Sequence, residues 1–221
     1  MDDRGRAIIK AFNSWAADYD EWYTENPSLA SIELRTVSLL KPWGRGIEVG
    51  GGSGFFSLPF QAMVLEPAMG MASLANQRGL DVVIGIGEQP PIRDSSMDYV
   101  LLVVTLCFLE DPMPTLSSAR SLLKQGGALI TCIVPRESRY GRLYEEKGRS
   151  GHRFYSLARF YSVKETIEML RSIKLEIEPL ASASLGNEEE PKLINPMDAE
   201  YFGFVCIKAC LLYTSPSPRD S

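Results

Sequence analysis

The sequence is poor in the residues that build metal centres and disulfide frameworks. Its 221 residues include one histidine, His152, and four cysteines, none of them in C-x-x-C spacing. We therefore predict no metal site, and we expect the thiols to be reduced core residues rather than disulfide partners. The cysteines all lie in or beside apolar, strand-like runs: Cys107, Cys132, Cys206 and Cys210.

Long apolar runs and an excess of basic residues are also missing. No apolar stretch approaches the length of a membrane span, and the charged residues 1 to 6 are not followed by an apolar signal segment. The net charge of −5 disfavours binding to a phosphate backbone, because such binding depends on clustered Lys and Arg. We expect a cytoplasmic protein that binds neither membranes nor nucleic acid.

The order of apolar patterns predicts an α/β fold. Two helices, at residues 7 to 23 and 28 to 40, are expected before the first strand. Strands and helices then alternate, with later helices expected at 68 to 78, 112 to 124 and 162 to 173. Several strands are continuously apolar, as strands covered on both faces are. The pattern predicts a doubly wound, mostly parallel sheet.

The last two predicted strands differ from the others. A polar loop around residues 186 to 191 joins them, and no helix lies between them. We therefore expect an antiparallel terminal pair at the end of a seven-stranded sheet. The predicted strands are residues 46 to 49, 62 to 66, 81 to 85, 98 to 104, 128 to 134, 174 to 181 and 200 to 209.

A glycine-rich turn follows the first strand. Residues 48 to 54 read E-V-G-G-G-S-G, and three glycines at every second position let the backbone turn sharply and approach a ligand. The next strand ends at Glu66, whose carboxylate can accept hydrogen bonds from two ribose hydroxyls. Phe55 stands where a dinucleotide-binding turn has its third glycine. The turn predicts a nucleoside site and disfavours a dinucleotide.

These motifs resemble those of the class I S-adenosylmethionine-dependent methyltransferases. The E-x-G-x-G-x-G turn and Glu66 resemble motifs I and II of that class. Residues 85 to 91 and 94 to 100 resemble segments of the type-11 methyltransferase domain, and residues 122 to 127 resemble its R-V-L-K-P-G-G stretch. The resemblance implies a Rossmann-like fold with a reversed last strand, and S-adenosylmethionine as cofactor.

The resemblance also assigns cofactor-binding residues. Glu48 has two open roles, as a turn-stabilising partner or near the cofactor ammonium, and Tyr19 could close over the cofactor or simply pack. Ile86 stands where the family often has an acidic or amide residue, so adenine recognition is expected to use backbone groups and apolar packing. The predicted cofactor residues are Glu48, Gly50, Gly52, Gly54, Glu66, Gly87, Glu88 and Tyr19.

Residues 136 to 161 form a long connection rich in cationic and aromatic side chains. Such connections often act as lids, and clustered arginines suit carboxylate or phosphate groups. We expect a small anionic or aromatic acceptor here; a solvated face is the alternative. His152 is the candidate general base, although an ordinary surface histidine is the commoner outcome. The predicted acceptor residues are Arg139, Tyr140, Arg153, Tyr155 and Arg159.

The expected organisation is one methyltransferase domain over residues 1 to 210. Within it, residues 1 to 43 form an N-terminal helical cap and residues 136 to 161 a lid-like insertion. Residues 211 to 221 form a Ser/Pro-rich tail that is disordered or artefactual. The predicted activity is methyl transfer to a small molecule. A non-catalytic S-adenosylmethionine-binding protein and a nicotinamide-dependent oxidoreductase are the alternatives.

Overall fold

The computed structural model describes residues 3–183 and 190–212. Its strands form one nine-stranded sheet in the order β3-β2-β1-β4-β5-β9-β7-β8, with β6 also paired to β9. Strands β1 to β5 run parallel to one another. They are β1 (Gly46–Val49), β2 (Met63–Glu66), β3 (Val82–Ile84), β4 (Met97–Val103), β5 (Leu123–Ile133), β6 (Glu176–Ile177), β7 (Leu180–Ala183), β8 (Lys192–Ile194) and β9 (Phe204–Cys210).

Within the described ranges, seven α-helices accompany the sheet, and none is long and apolar enough to cross a bilayer. The predicted helix over residues 7 to 23 is wrong in one respect, because Trp15 leaves helical geometry and divides it into α1 and α2. The helices are α1 (Asp3–Ser14), α2 (Ala16–Glu25), α3 (Pro27–Leu39), α4 (Met69–Gln77), α5 (Pro112–Leu122), α6 (Arg139–Arg149) and α7 (Val163–Ser172).

Side-chain alternation along the central strands explains the two-layered core. On β4, Val100 and Leu102 join the cluster that includes residues of α5 and α7. Tyr99 and Leu101 join the opposite cluster, which includes residues of α3. Both faces of the sheet are therefore covered, which confirms the interpretation of the continuously apolar strand runs.

The reversed end of the sheet is confirmed, and its strand number is corrected. Strands β6 and β7 both pair antiparallel with β9, which itself runs antiparallel to β5. The predicted strand over residues 174 to 181 is divided at Pro179, and the short edge strand β8 was not expected. Proline lacks the N–H that a ladder needs, which accounts for the division. Residues 184–189 of the connecting loop, and the tail from residue 213, lie outside the described residues.

Two cysteines contradict the expectation of reduced thiols. Cys132 on β5 and Cys206 on β9 are direct partners in the antiparallel register and form a disulfide. Directly opposed residues of an antiparallel pair have neighbouring Cβ atoms, so the register itself brings these sulfurs together. The sequence could not show this, because the register depends on how strands 74 residues apart meet. Cys107 and Cys210 are free thiols.

Candidate functional site

A cleft opens at the carboxyl ends of β1, β2 and β4, where ligands of open α/β sheets bind. It encloses about 1090 Å³ of atom-free space, including its open mouth. Helices α1 and α2 form its other side through Ile8, Phe12 and Tyr19. The cleft is therefore bounded by strand ends on one side and by an aromatic and aliphatic cap on the other.

The glycine turn supplies the wall next to β1. Gly50 and Gly52 have φ angles of +67° and +55°, a region that favours glycine. A Cβ at Gly50 would lie 2.6 Å from Cγ2 of Thr105, whereas a Cβ at Gly52 would meet no protein atom within 4 Å. Gly52 therefore borders open cleft. Gly54 does not line the cleft, and a Cβ there would lie 2.4 Å from Cδ1 of Leu80.

Glu66 is a buried carboxylate at the end of β2. Its Oε2 accepts the N–H of Gly52 at 3.0 Å, and its Oε1 accepts the N–H of Ala68 at 2.8 Å. Burial raises the pKa of Glu66, and these two hydrogen bonds oppose that rise. Each carboxylate oxygen has more than one acceptor position, so the fixed side chain can still accept hydroxyl hydrogen bonds from the cleft.

The chain after the glycine turn is unsuited to holding a diphosphate. It leads into a 3-10 helix of three residues, Leu58–Phe60, rather than into an α-helix. A diphosphate normally binds at the N–H groups of a helix N-terminus. In addition, the ring of Phe55 stacks on that of Tyr23 at 4.0 Å, which occupies the position of the missing glycine.

Glu48 is a second buried carboxyl group in the cleft wall. It accepts a hydrogen bond from Oγ of Ser57. Burial raises the pKa of Glu48 to about 8, and the nearby Glu66 acts in the same direction, against the hydrogen bond from Ser57. Both roles that the sequence left open therefore have a structural basis: Glu48 stabilises the turn and also faces the cleft.

Ile86, Gly87 and Glu88 line the far end of the cleft. A Cβ at Gly87 would lie 2.7 Å from Cγ2 of Thr115, so the backbone here packs closely on α5. Oγ of Ser118 donates to the carbonyl oxygen of Glu88 at 2.8 Å. The segment therefore offers a fixed backbone and the apolar side chain of Ile86.

Arginine side chains hold the cap over the cleft. Arg4 at the start of α1 donates to the carbonyl oxygens of Leu109 at 3.1 Å and Leu157 at 2.9 Å. Arg78 pairs with Asp20 of α2 at 2.7 Å. The sequence led to the expectation of an N-terminal cap over residues 1 to 43, with Tyr19 either closing over the cofactor or packing. It did not reveal the arginine contacts that hold this cap in place.

None of the predicted acceptor residues lines the cleft. Arg139 is exposed at the start of α6, and Arg153 forms an ion pair with Asp18 of α2. The guanidinium of Arg159 lies 5.4 Å from the centre of the Tyr161 ring. Tyr140, Tyr155 and His152 are likewise outside the lining, and His152 is exposed. Burial and the nearby cations Lys147 and Arg153 lower the pKa of His152.

The insertion nevertheless reaches the cap. Phe154, which is buried, contacts Phe12 at 5.7 Å and Tyr19 at 5.0 Å between ring centres. Phe12 in turn contacts Phe108, with 4.8 Å between the ring centres, and Phe108 lines the cleft. The insertion therefore supports the cap through the ring of Phe154, in addition to the Arg153–Asp18 ion pair and the hydrogen bond from Arg4 to Leu157.

The charged side chains in the described lining of the cleft are all acidic. Among the described residues, its lining contains no Lys, Arg or His side chain. Such a wall favours a cation and disfavours a phosphate or carboxylate ligand. The acidic residues in the lining are Glu48, Glu66, Glu88 and Glu110.

Comparisons with known proteins agree with this geometry. A family model described as "Methyltransferase domain" matches residues 47–131. An uncharacterized protein of Methanocaldococcus jannaschii is 37% identical over 166 residues, which cover 75% of this chain and 80% of that protein. A crystal structure from Thermotoga maritima, described as a "SAM-dependent methyltransferase, possible histamine N-methyltransferase", is 33% identical with a TM-score of 0.84; the match covers 91% of this chain and 99% of that one.

A more distant structure shares the fold alone. Geranyl diphosphate C-methyltransferase of Streptomyces coelicolor, solved with S-adenosyl-L-homocysteine, is 13% identical with a TM-score of 0.58; the match covers 80% of this chain and 78% of that one. The cleft described above suits a ligand of this kind, a nucleoside without a diphosphate. It has an anchored carboxylate, open space at Gly52 and no helix N-terminus for a diphosphate. This chain therefore belongs to the class I S-adenosylmethionine-dependent methyltransferases, and its cofactor is S-adenosylmethionine.

Proposed function

We propose that this protein transfers the methyl group of S-adenosylmethionine to a small-molecule acceptor. The observation that carries the proposal is the position of Glu66, which backbone N–H groups fix at the strand end opposite the open space at Gly52. A ribose lying in that space would present its hydroxyls to the carboxylate.

The remaining cofactor roles follow from the same cleft. Glu48 faces the turn on the side where the amino-acid portion of the cofactor would lie, so a carboxyl group there suits an ammonium. The backbone of Gly87 and Glu88, with the side chain of Ile86, suits the adenine. These assignments keep the sequence prediction for the cofactor, except that Gly54 acts through packing against Leu80.

The cofactor supplies a methyl group already activated by a sulfonium, so the protein has mainly to align the acceptor and exclude water. Helix α1 suits this task, because Ile8, Ile9 and Phe12 place an apolar surface across the cleft. No side-chain nucleophile is required. Cys107 is unsuited to that role, since burial raises the pKa of its thiol to about 12.

Two features bear on the acceptor. The Thermotoga maritima protein is described as a possible histamine N-methyltransferase, which makes small amines the first compounds to test. The anionic acceptor expected from the arginines of the insertion has no support from the cleft, whose described lining carries no cation. An aromatic acceptor suits the rings of Phe12, Tyr19 and Phe108.

Calorimetric titration with S-adenosylmethionine and with NADH tests the proposal. We expect binding of the first and none of the second, and we expect Gly52→Ala to weaken the first, because its methyl group would enter the cleft. Gly79→Ala is the matched control, since Gly79 also has positive φ and open space but does not line the cleft. Equal affinity in all three proteins would remove the cofactor site from this loop.

Turnover separates a methyltransferase from a non-catalytic binding protein. With acceptor panels of amines, phenols and carboxylates, we expect S-adenosylhomocysteine to form in proportion to a methylated product identified by mass. Tight cofactor binding with no product from any panel would favour the non-catalytic alternative.

A further inference from the structure

One part of the cleft is a slot between helix α1 and the segment that follows β4. We define this α1 slot by five of the lining residues: Ile8 and Phe12 of α1, and Val104, Phe108 and Glu110 after β4. The ring centres of Phe12 and Phe108 lie 4.8 Å apart, edge to face, so the helix and the segment are in direct contact. The walls of the slot are therefore apolar, and among these five residues only Glu110 carries a charge.

Val104 marks the inner end of the α1 slot. Its φ angle is +53°, a strained conformation for a β-branched residue and one that is concentrated at functional sites. Two hydrogen bonds hold it there, because its N–H donates to the carbonyl oxygen of Cys132 at 2.9 Å and its carbonyl oxygen accepts from Sγ of Cys107 at 3.2 Å. Oγ1 of the next residue, Thr105, donates to the carbonyl oxygen of Val49 at 3.1 Å, directly before the glycine turn. This end therefore adjoins the proposed cofactor site.

Glu110 marks the outer end of the slot, at the start of α1. Its side chain is 54% exposed, and its Oε2 lies 3.2 Å from Nη1 of Arg4. Its Oε1 forms no hydrogen bond or ion pair with the residues that the structure describes. Arg4 does not line the cleft, and it also donates to the carbonyl oxygens of Leu109 and Leu157. Glu110 is thus held at the mouth by one oxygen, and its other oxygen can accept a hydrogen bond from a ligand.

The other cations of α1 lie away from the slot. Arg6 and Lys10 line a separate groove with Asn13, whereas Ile8 and Phe12 face the cleft, as the helical period requires. A cationic ligand in the slot would therefore meet no like charge in the described lining of the cleft. Apolar, partly aromatic walls with a carboxylate at one end suit an aromatic ring that carries an ammonium group.

The difference between the two ends sets the orientation of such a ligand. An ammonium group at the exposed mouth keeps much of its hydration and gains a carboxylate partner. In the apolar interior it would lose that hydration without a partner, which is costly. The ring should therefore lie towards Val104, beside the cofactor site, with the ammonium group at Glu110.

We propose that the α1 slot is the acceptor subsite and that it takes a small aromatic amine, with its ammonium group on Glu110 and its ring towards Val104, so that the methyl group goes to a ring atom rather than to the amine. This inference rests on the proposed function and names its substrate class. Glu110 binds the acceptor and sets the preference for a cation, while Phe12 and Phe108 contact the ring.

The attacking ring atom must already carry a lone pair at neutral pH, because the residues that define the inner end include no side chain that can take up a proton. An unprotonated imidazole nitrogen meets this requirement. Its lone pair forms the new C–N bond to the methyl carbon as the C–S bond breaks, and the electron pair of the C–S bond stays with sulfur. The methylated ring is then a cation, and it releases the N–H proton of its other nitrogen to water. The ammonium group keeps its protons throughout.

Calorimetry with three compounds of one skeleton tests the subsite: histamine, 2-(imidazol-4-yl)ethanol and imidazol-4-ylacetate. At about pH 8.5 an imidazole ring is neutral and an aliphatic amine is charged, so the compounds differ mainly in the charge of the tail. With the protein loaded with S-adenosylhomocysteine, we expect the amine to bind about fivefold or more tightly than the alcohol, and the acid more weakly than either. Equal affinity for the amine and the alcohol, or no binding of the amine, would overturn the subsite.

Glu110→Gln keeps the shape of the side chain and an oxygen for Arg4, and it removes the charge. We expect the affinity for histamine to fall to that for the alcohol, with the affinity for the alcohol changed by no more than about twofold. Glu145→Gln is the matched control, since Glu145 also pairs with an arginine, Arg149, but lies outside the cleft lining. A loosened cap would weaken the amine and the alcohol together. An unchanged ratio between them in Glu110→Gln would therefore overturn the proposal even if both affinities fall.

The position of the new methyl group tests the orientation. After turnover of histamine with S-adenosylmethionine, we expect the product to lose ammonia on fragmentation in the mass spectrometer, because its amine is not methylated. Loss of methylamine would place the methyl group on the tail, and no turnover of bound histamine would remove the acceptor role; either result overturns the proposal. Failure of the wild type to bind S-adenosylmethionine without any acceptor would instead refute the proposed function itself, so the two failures are distinguishable.

Discussion

The proposed cofactor side and the proposed acceptor side of this cleft are built in different ways. The cofactor side consists of backbone, the carboxyl groups of Glu48 and Glu66 and the side chain of Ile86, all within residues 48 to 88 and all at or just after strand ends. The proposed acceptor side is made of side chains from α1, α2 and the segment after β4, such as Ile8, Tyr19 and Phe108, which lie 100 residues apart in sequence at their extremes. A site made of local backbone can be recognised from a sequence motif. A site made of side chains that are distant in sequence depends on how the chain packs.

The largest expected effect tests how strictly the backbone defines the cofactor side. Gly50→Ala should lower the free energy of unfolding by about 2 to 4 kcal/mol, since it combines left-handed strain with overlap against Thr105. Gly79→Ala, with φ of +81° and open space, should lose only about 1 to 2 kcal/mol. Urea denaturation of both variants measures the difference, and equal losses would show that the turn is not tightly packed.

The next effect concerns Glu66, the side chain proposed to bind the ribose. Glu66→Ala should weaken S-adenosylmethionine binding by about 1.5 to 3 kcal/mol, the range for lost hydrogen bonds to a charged group. Calorimetry measures the change, with Glu168→Ala on α7 as control. Unchanged affinity would falsify the assignment of Glu66 to the ribose. The cofactor side would then not be defined by residues that are close together in sequence.

Stability should depend on pH through Glu33, a buried carboxyl group of α3 outside the cleft lining. The pKa of Glu33 in the folded protein, about 8, lies above its ordinary value of 4.5, so folding takes up a proton between these limits. The contribution of Glu33 to stability is then present below pH 4.5 and is lost as pH rises towards 8.

Glu33→Gln should therefore gain stability over the wild type as pH rises from 5 to 8, by about 1 to 3 kcal/mol. Urea denaturation at both pH values measures the gain. The Glu48 carboxyl titrates in the same range but is common to both proteins, so it cancels in the comparison. A pH-independent difference would mean that Glu33 is not the titrating group.

A smaller effect is expected at Arg4, which links helix α1 to Leu109 and Leu157. Arg4→Ala removes hydrogen bonds to Leu109 and Leu157 and an exposed ion pair with Glu110. We expect S-adenosylmethionine binding to weaken by about 1 kcal/mol, because the cap would close less fully. Arg6→Ala, on the same helix, serves as the comparison in calorimetry. Similar results for both would indicate that the cap does not depend on this link.

The smallest effect is expected at Arg139. Its side chain is exposed and outside the cleft, so Arg139→Ala should change stability by less than about 0.5 kcal/mol and leave turnover intact. Steady-state kinetics check this. A large loss of turnover with unchanged cofactor affinity would restore the anionic acceptor that the sequence suggested for the insertion.

The same contrast explains what could be predicted from the sequence. The glycine turn, Glu66, the parallel strands and the reversed end of the sheet followed from local patterns, because spacing and apolar runs report directly on turns and strands. The burial of Glu33 could not be predicted, since a single glutamate in an amphipathic helix looks like a surface residue. Phe154 was visible only as one of many aromatic residues in the insertion, and its contact with the cap depends on packing.

The disulfide between β5 and β9 turns part of this chain into a covalent ring. The ring runs from Cys132 to Cys206 and contains the insertion, α7 and the strands β6 to β8. A protease that cuts once within the insertion would open the ring without separating two fragments. Electrophoresis would then show one intact mass without a reducing agent and two bands with it, so the bond can be mapped by digestion alone.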